Sequence, residues 1–301
     1  MLVMLIMNAL YAATFTLGKF ALAYTHPVFF VGLSMVVGGL ILLTYLWFKK
    51  PSRLKIAKKD IGSLVLVGIF SFYLSYVLYF WSLQYLPSFK VCFLYSVGPF
   101  VSYLIGYFLF KQKLRLKKWI GLSIGFLGLL PMLASDSSGK GILESLLYIA
   151  LPEGAAIMSA SVYAYGWFLV RQLVHDKKYS ATAVNGYAML IGGLLSFLNI
   201  PFFGVTVQVT ELAPFLILLA TVVLFEFLLA NRLYSLLLGK HSETFLALSS
   251  FLIIPFSALF GWAFLNEHIT WHFFVSIVPI GFSLLLFYWA EREEKSGWDK
   301  A

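Results

Sequence analysis

The chain has 301 residues, of which 61% are apolar and only 12% charged, against about 25% charged in an ordinary soluble domain. No soluble fold of this length hides that much apolar surface, so the composition excludes a soluble domain and points to an all-α polytopic membrane protein. The net charge of +9 invites a nucleic-acid partner, but the placement of the basic residues assigns it another meaning.

Hydropathy predicts ten spans, at 2–23, 28–48, 61–83, 91–110, 119–134, 146–170, 183–203, 213–238, 244–264 and 271–290. The first lacks a basic leader region and a small-residue cleavage site, so it reads as a retained helix and not a signal peptide. The fifth is short, with Pro131 near its end. Turn signals mark the joins at His26-Pro27, Lys50-Pro51-Ser52, Leu86-Pro87-Ser88 and Ser137-Ser138-Gly139. No loop is long enough to be a soluble domain, and the single Cys92 has no partner for an intrachain disulfide.

Span one places Asn8, Tyr11, Phe15 and Lys19 on one helical face. A polar and aromatic stripe in an apolar helix faces either a cavity or a packing seam with a snorkelling lysine. Span three contributes Phe72, Tyr76 and Tyr79, suited to flat rings and organic cations. Trp47, Trp119, Trp271 and Trp289 read as interfacial anchors. Gly121, Gly125 and Gly128 on span five permit close helix packing, and a homodimer through such glycine-rich faces is the expected protein partner. Span six repeats the stripe with Tyr163, Trp167 and Arg171. Glu153 there sits either at depth or in the first turn at the outer mouth, where Pro152 and an acid both suit a helix start.

Span eight holds Glu226, about 20 Å along the helix from Pro214 at 1.5 Å per residue. A lone acid at that depth costs roughly 2.5–3.5 kcal/mol on insertion scales, so it faces the bundle interior. It is either a hydrogen-bonded structural acid or part of the path of a small solute. His268 and His272 have i, i+4 spacing but no evident third ligand, so no metal site is expected. No phosphate-binding glycine loop is present, and no cofactor is expected.

All but Lys19, Lys90 and Lys140 of the 22 Lys and Arg residues fall on one side if ten helices alternate. The positive-inside rule then places both termini in the cytoplasm, in a plasma (inner) membrane. The charge is a topology signal, and no nucleic-acid partner is expected.

The halves resemble each other. Met35 to Ile41 (MVVGGLI) matches Met189 to Leu195 (MLIGGLL), and Tyr11-Ala12 with Lys19 matches Tyr163-Ala164 with Arg171. Pro99, Lys111 and Gly125 likewise match Pro255, Glu267 and Gly281. With five spans per half, the second half enters the bilayer from the opposite side, the plan of a secondary carrier with a site near the midplane. The expected units are 1–134, a linking loop at 135–145, and 146–301 with a short tail.

The pattern Tyr11-Ala12, Phe15, Lys19, Pro27, the prolines of spans four and nine, and Asn266-Glu267-His268-Ile269-Thr270 resembles EamA-type carriers of the drug/metabolite transporter superfamily over essentially the whole chain. The resemblance implies ten transmembrane helices in two inverted five-helix repeats, alternating access and a cavity between the halves. Two positions depart from the family pattern: Ser34 replaces an Arg in span two, and Lys111 replaces the acid after span four.

The reading is a secondary transporter, not an enzyme, for a small cationic or zwitterionic metabolite such as an amino acid derivative or S-adenosylmethionine. The expected substrate-binding residues are Glu226, Asn8, Tyr11, Phe15, Lys19, Tyr76, Tyr79, Glu153, Tyr163 and Trp167. A carrier of nucleotide sugars or phosphorylated metabolites would need clustered cations in the cavity. A lipid-modifying membrane enzyme would need a polar cluster at the interface.

Overall fold

Apolar runs of this length form helices because a bilayer offers no partner for the backbone, so each N–H and C=O must be bonded within its own segment. The structure is a computed structural model and describes residues 2–110, 116–133, 151–203, 207–230, 233–234, 237 and 249–298. The 135–145 link, Lys111 and the joint between the eighth and ninth expected spans lie outside the described residues.

The helices are α1 (Leu2–Ala21), α2 (Pro27–Lys49), α3 (Lys58–Tyr85), α4 (Ser88–Tyr95), α5 (Gly98–Phe110), α6 (Leu116–Leu133), α7 (Leu151–Arg171), α8 (Ala181–Asn199), α9 (Leu212–Ala230), α10 (Ile253–Leu265) and α11 (Trp271–Trp298). Of these, α1, α2, α3, α8 and α9 are long and apolar enough to cross a membrane. The fourth expected span is interrupted. It begins at Ser88 and turns at Ser96-Val97 before α5 resumes, because Pro99 has no N–H to offer the carbonyl of Tyr95.

Local chemistry fixes several ends. Pro27 opens α2 with His26 as its N-cap, whose Nδ1 accepts from the Val28 N–H at 3.3 Å. Asn266 ends α10 in the left-handed conformation, φ 52°. Within α3 and α9 the stretches Gly68–Leu74 and Val223–Ala230 are π-helical, a form that concentrates at functional sites.

Packing crosses between the halves. Helix α2 lies along α8, α6 along α11, α3 against α7 and α8, α1 against α9 and α10, and α4 against α7 and α10. The matching glycine pairs of α2 and α8 form one seam: a Cβ on Gly39 would lie 2.8 Å from the Gly186 carbonyl oxygen, and one on Gly193 would lie 2.9 Å from that of Gly32. The glycine face of α6 is filled by the chain itself. A Cβ on Gly128 would lie 2.9 Å from Ile280 Cγ1, and Ser283 Oγ donates to the Gly121 carbonyl. The face expected to hold a second protomer is therefore occupied by α11.

Trp47, Trp119, Trp271 and Trp289 are exposed, as anchors at a membrane boundary would be. At one end of the bundle Asp60, in the first turn of α3, bonds Lys177 at 3.0 Å and the Tyr179 hydroxyl at 2.7 Å, joining the start of α3 to the α7–α8 connection. At the opposite end Thr210 N–H donates to the Tyr24 carbonyl and Ser196 Oγ to that of Val28.

Candidate functional site

A helix brings residues three and four apart onto one face, and here those faces converge from five helices. Tyr76 of α3 donates its hydroxyl to Glu226 Oε1 of α9 at 2.5 Å, a short hydrogen bond. The Tyr76 ring lies 6.2 Å from Tyr79, 6.5 Å from Tyr163 and 6.1 Å from Phe227, centroid to centroid. Phe15 of α1 stands edge-on to Tyr79 at 5.1 Å, and Trp167 edge-on to Tyr163 at 6.0 Å. Tyr11 is close enough to Tyr163 and Glu226 to interact with both electrostatically.

Each such ring pair contributes about 0.5–1.5 kcal/mol. The rings therefore brace one another as an aromatic box with a single carboxylate on its wall. Behind it, Ser75 and Ser159 bond reciprocally, Ser159 Oγ donating to the Ser75 carbonyl at 2.7 Å, which fixes α3 on α7. Glu226 is half-buried and Trp167 is 40% exposed. Among the described residues the ion pairs are made by other acids, and the Glu226 carboxylate accepts from Tyr76.

Of the residues expected from sequence, the structure brings Tyr11, Phe15, Tyr76, Tyr79, Tyr163, Trp167 and Glu226 together. It commits three others to different partners. Asn8 is fully buried, and its Nδ2 donates to the Ser249 carbonyl at 2.9 Å, tying α1 to the start of the α10 region. Lys19 donates to the Leu86 carbonyl at 2.6 Å and to Glu267 at 3.2 Å. Glu153 pairs at 3.0 Å with Lys90, which is 1% exposed. Each of these three residues makes a helix-to-helix tie, which offsets part of the cost of a charge or amide among helices.

Two box residues escaped the sequence reading. Tyr95, the last residue of α4, reaches Tyr79 at 5.9 Å and Tyr163 at 5.7 Å. Phe227 adjoins Glu226, where a strict α-helical wheel would turn it away; the π-helical stretch lets both approach Tyr76. The only available signal for Tyr95 was the Gly98-Pro99 break just beyond it.

The sequence matches the EamA-like transporter family over residues 1–134 and 151–289. The chain belongs to that family. As a member it is a multi-pass membrane transporter. A protein of Chlamydia muridarum named "S-adenosylmethionine/S-adenosylhomocysteine transporter" is 32% identical over 268 residues, spanning 88% of this chain and 84% of its own. A protein of Chlamydia trachomatis serovar L2 with the same name is 33% identical, spanning 88% and 81%. The uncharacterized transporter YvbV of Bacillus subtilis is 24% identical over 300 residues, 95% of this chain and 90% of its own. One solved crystal structure superimposes with a TM-score of 0.67 over 97% of each chain at 16% identity, a likeness of fold alone.

Proposed function

We propose that this EamA carrier exchanges S-adenosylmethionine and S-adenosylhomocysteine across the plasma (inner) membrane, with both termini in the cytoplasm. On this reading ten helices form two inverted repeats, 1–134 and 146–301 joined by 135–145, and the repeats rock about the aromatic box. The observation that carries the substrate assignment is Glu226, held by Tyr76 within a ring cluster. A sulfonium is attracted both by ring faces and by a carboxylate, and each cation–π contact contributes about 0.5–2 kcal/mol depending on desolvation. An adenine stacks on the same kind of surface for about 1–3 kcal/mol. The names of the chlamydial relatives agree with this chemistry.

The repeat reading has independent support. The family match itself falls into two stretches. Exchanging each span with its counterpart in the other half turns the α3–α7 packing into α9–α1, and that of α4–α7 into α10–α1, all of which occur. The π-helical stretches of α3 and α9 also fall at matching positions. An anionic substrate such as a nucleotide sugar is disfavoured, because Lys19 and Lys90 are already paired with acids.

The test is counterflow. Proteoliposomes preloaded with unlabelled S-adenosylhomocysteine should accumulate labelled S-adenosylmethionine faster than empty ones. Equal uptake in both, with no thermal stabilisation of the pure protein by either compound, refutes the assignment; a ligand at 100 times its Kd stabilises by about 2.7 kcal/mol.

A further inference from the structure

The two ends of the bundle are fastened differently. At the end carrying Glu267, its carboxylate accepts the Ser88 N–H at 2.6 Å and the Ser88 hydroxyl at 2.8 Å, and pairs with Lys19 at 3.2 Å. Lys19 also holds the Leu86 carbonyl. One carboxylate thus pins the end of α1, the α3–α4 joint and the α10–α11 joint. Its side chain is 7% exposed, so these bonds are shielded from water and salt. The Lys90–Glu153 pair, also buried, fastens α4 to α7 two residues further on. The other end has Asp60, as buried as Glu267, but its cation Lys177 is 40% exposed against 26% for Lys19, so that pair is the more screened of the two.

The sequence repeat sharpens the contrast. It aligns Lys19 with Arg171 and Glu267 with Lys111, so the counterpart of a cation–anion latch is two cations. Arg171 is accordingly exposed, while Lys19 is paired.

We infer that Glu267, clasped by Ser88 and Lys19, is the gate latch on that face of the carrier, the outer face in the proposed topology. Lys19 stands one helical turn beyond Phe15 of the aromatic box, about 6 Å along α1. For the box to open towards that face, Glu267 must release the α3–α4 joint. Among the described residues the tie at the opposite end is the more exposed Asp60–Lys177 pair, so the empty carrier rests closed on the Glu267 side and open on the other. A substrate opens the latch only by its differential affinity for the outward state. The inference rests on the carrier reading but not on the identity of the substrate.

The test needs no substrate, so its failure is distinct from failure of the assignment above. Leu83 is fully buried on α3, one turn beyond Tyr79 towards the latch. Leu83→Cys on a Cys92→Ala background gives one reporter thiol behind the gate. A membrane-impermeant methanethiosulfonate is added to each face in turn, using intact cells and inverted vesicles. Glu267→Gln should raise the labelling rate from the latch face about tenfold or more, the scale of losing one charge-assisted hydrogen bond. Lys19→Gln, which leaves Glu267 on Ser88, should give a smaller rise of the same sign and serves if Glu267→Gln does not fold. An unchanged rate from that face in a folded variant of either kind overturns the inference, as does an equal rise from both faces.

Discussion

Replacing Glu226 by Gln separates recognition of charge from recognition of shape. The side chain keeps its size and an oxygen for the Tyr76 hydroxyl, which now lies 2.5 Å from the carboxylate. What disappears is the charge. A cationic centre about 4 Å away gains about 4 kcal/mol from a carboxylate at an effective dielectric of 20. Gln retains part of this through its carbonyl dipole, so the expected loss is about 2–3 kcal/mol, roughly 30- to 150-fold in affinity.

The two proposed substrates form an internal control, because S-adenosylmethionine carries a sulfonium where S-adenosylhomocysteine has a neutral thioether. If Glu226 reads the sulfonium, Glu226→Gln weakens only the former. Equal weakening of both would assign the carboxylate to the shared ammonium group. Substrate and proton also compete for the ionised carboxylate, so the variant should flatten binding measured across about pH 5 to 8. Titration calorimetry on the detergent-purified pair of proteins reads all three outcomes. Unchanged affinity for both compounds, with an unchanged pH curve, refutes the argument and leaves Glu226 a structural acid.

Three further expectations follow from particular contacts. Tyr163→Ala and Tyr95→Ala should each lower exchange at least about fivefold, since base stacking alone contributes about 1–3 kcal/mol, while the amount of folded protein in the membrane is maintained; normal transport by both would remove the box from the pathway. On a Cys92→Ala background, a thiol reagent applied outside intact cells should label Ser138→Cys and spare Ser52→Cys, and the reverse pattern would invert the topology. Burial holds the pKa of His26 below its ordinary 6.5, and its neutral Nδ1 caps α2. The folded state therefore prefers neutral His26, and its stability, full above that ordinary value, falls as the pH drops through the lowered one. His26→Asn keeps a capping side chain without a titration, so its melting temperature should fall less than that of the wild type between about pH 7.5 and 5.

The apolar runs announced helices because the backbone has no other recourse in lipid, and the i, i+3 and i, i+4 spacings brought out Phe15, Tyr76 with Tyr79, and Tyr163 with Trp167 as faces. The structure then turns those faces on Glu226. Periodicity failed where the helix does. Tyr95 sits at the turn between α4 and α5, and a wheel drawn through 91–110 has no meaning there. Depth in the bilayer left Lys19 and Glu153 open between cavity and other roles, because each helix read alone shows a charge without its partner. Their partners, Glu267 and Lys90, lie 248 and 63 residues away along the chain, and only tertiary packing joins them. The glycines of α6 were legible as a packing face, but not which helix would fill it.

The π-helical stretches have a mechanical consequence. A backbone bonded from i to i+5 carries one residue more per turn than its α-helical neighbours, and its carbonyls are less well aligned, so it exchanges bonding partners at small cost. When such a stretch reverts locally to α geometry, the chain beyond it rotates by about 100° and shortens or lengthens by about 1.5 Å. Val223–Ala230 contains Glu226, and Gly68–Leu74 ends two residues before Tyr76. Each helix that supplies one side of the Tyr76–Glu226 bond therefore carries such a stretch beside its contribution, and a local return to α geometry would turn the hydroxyl and the carboxylate relative to each other.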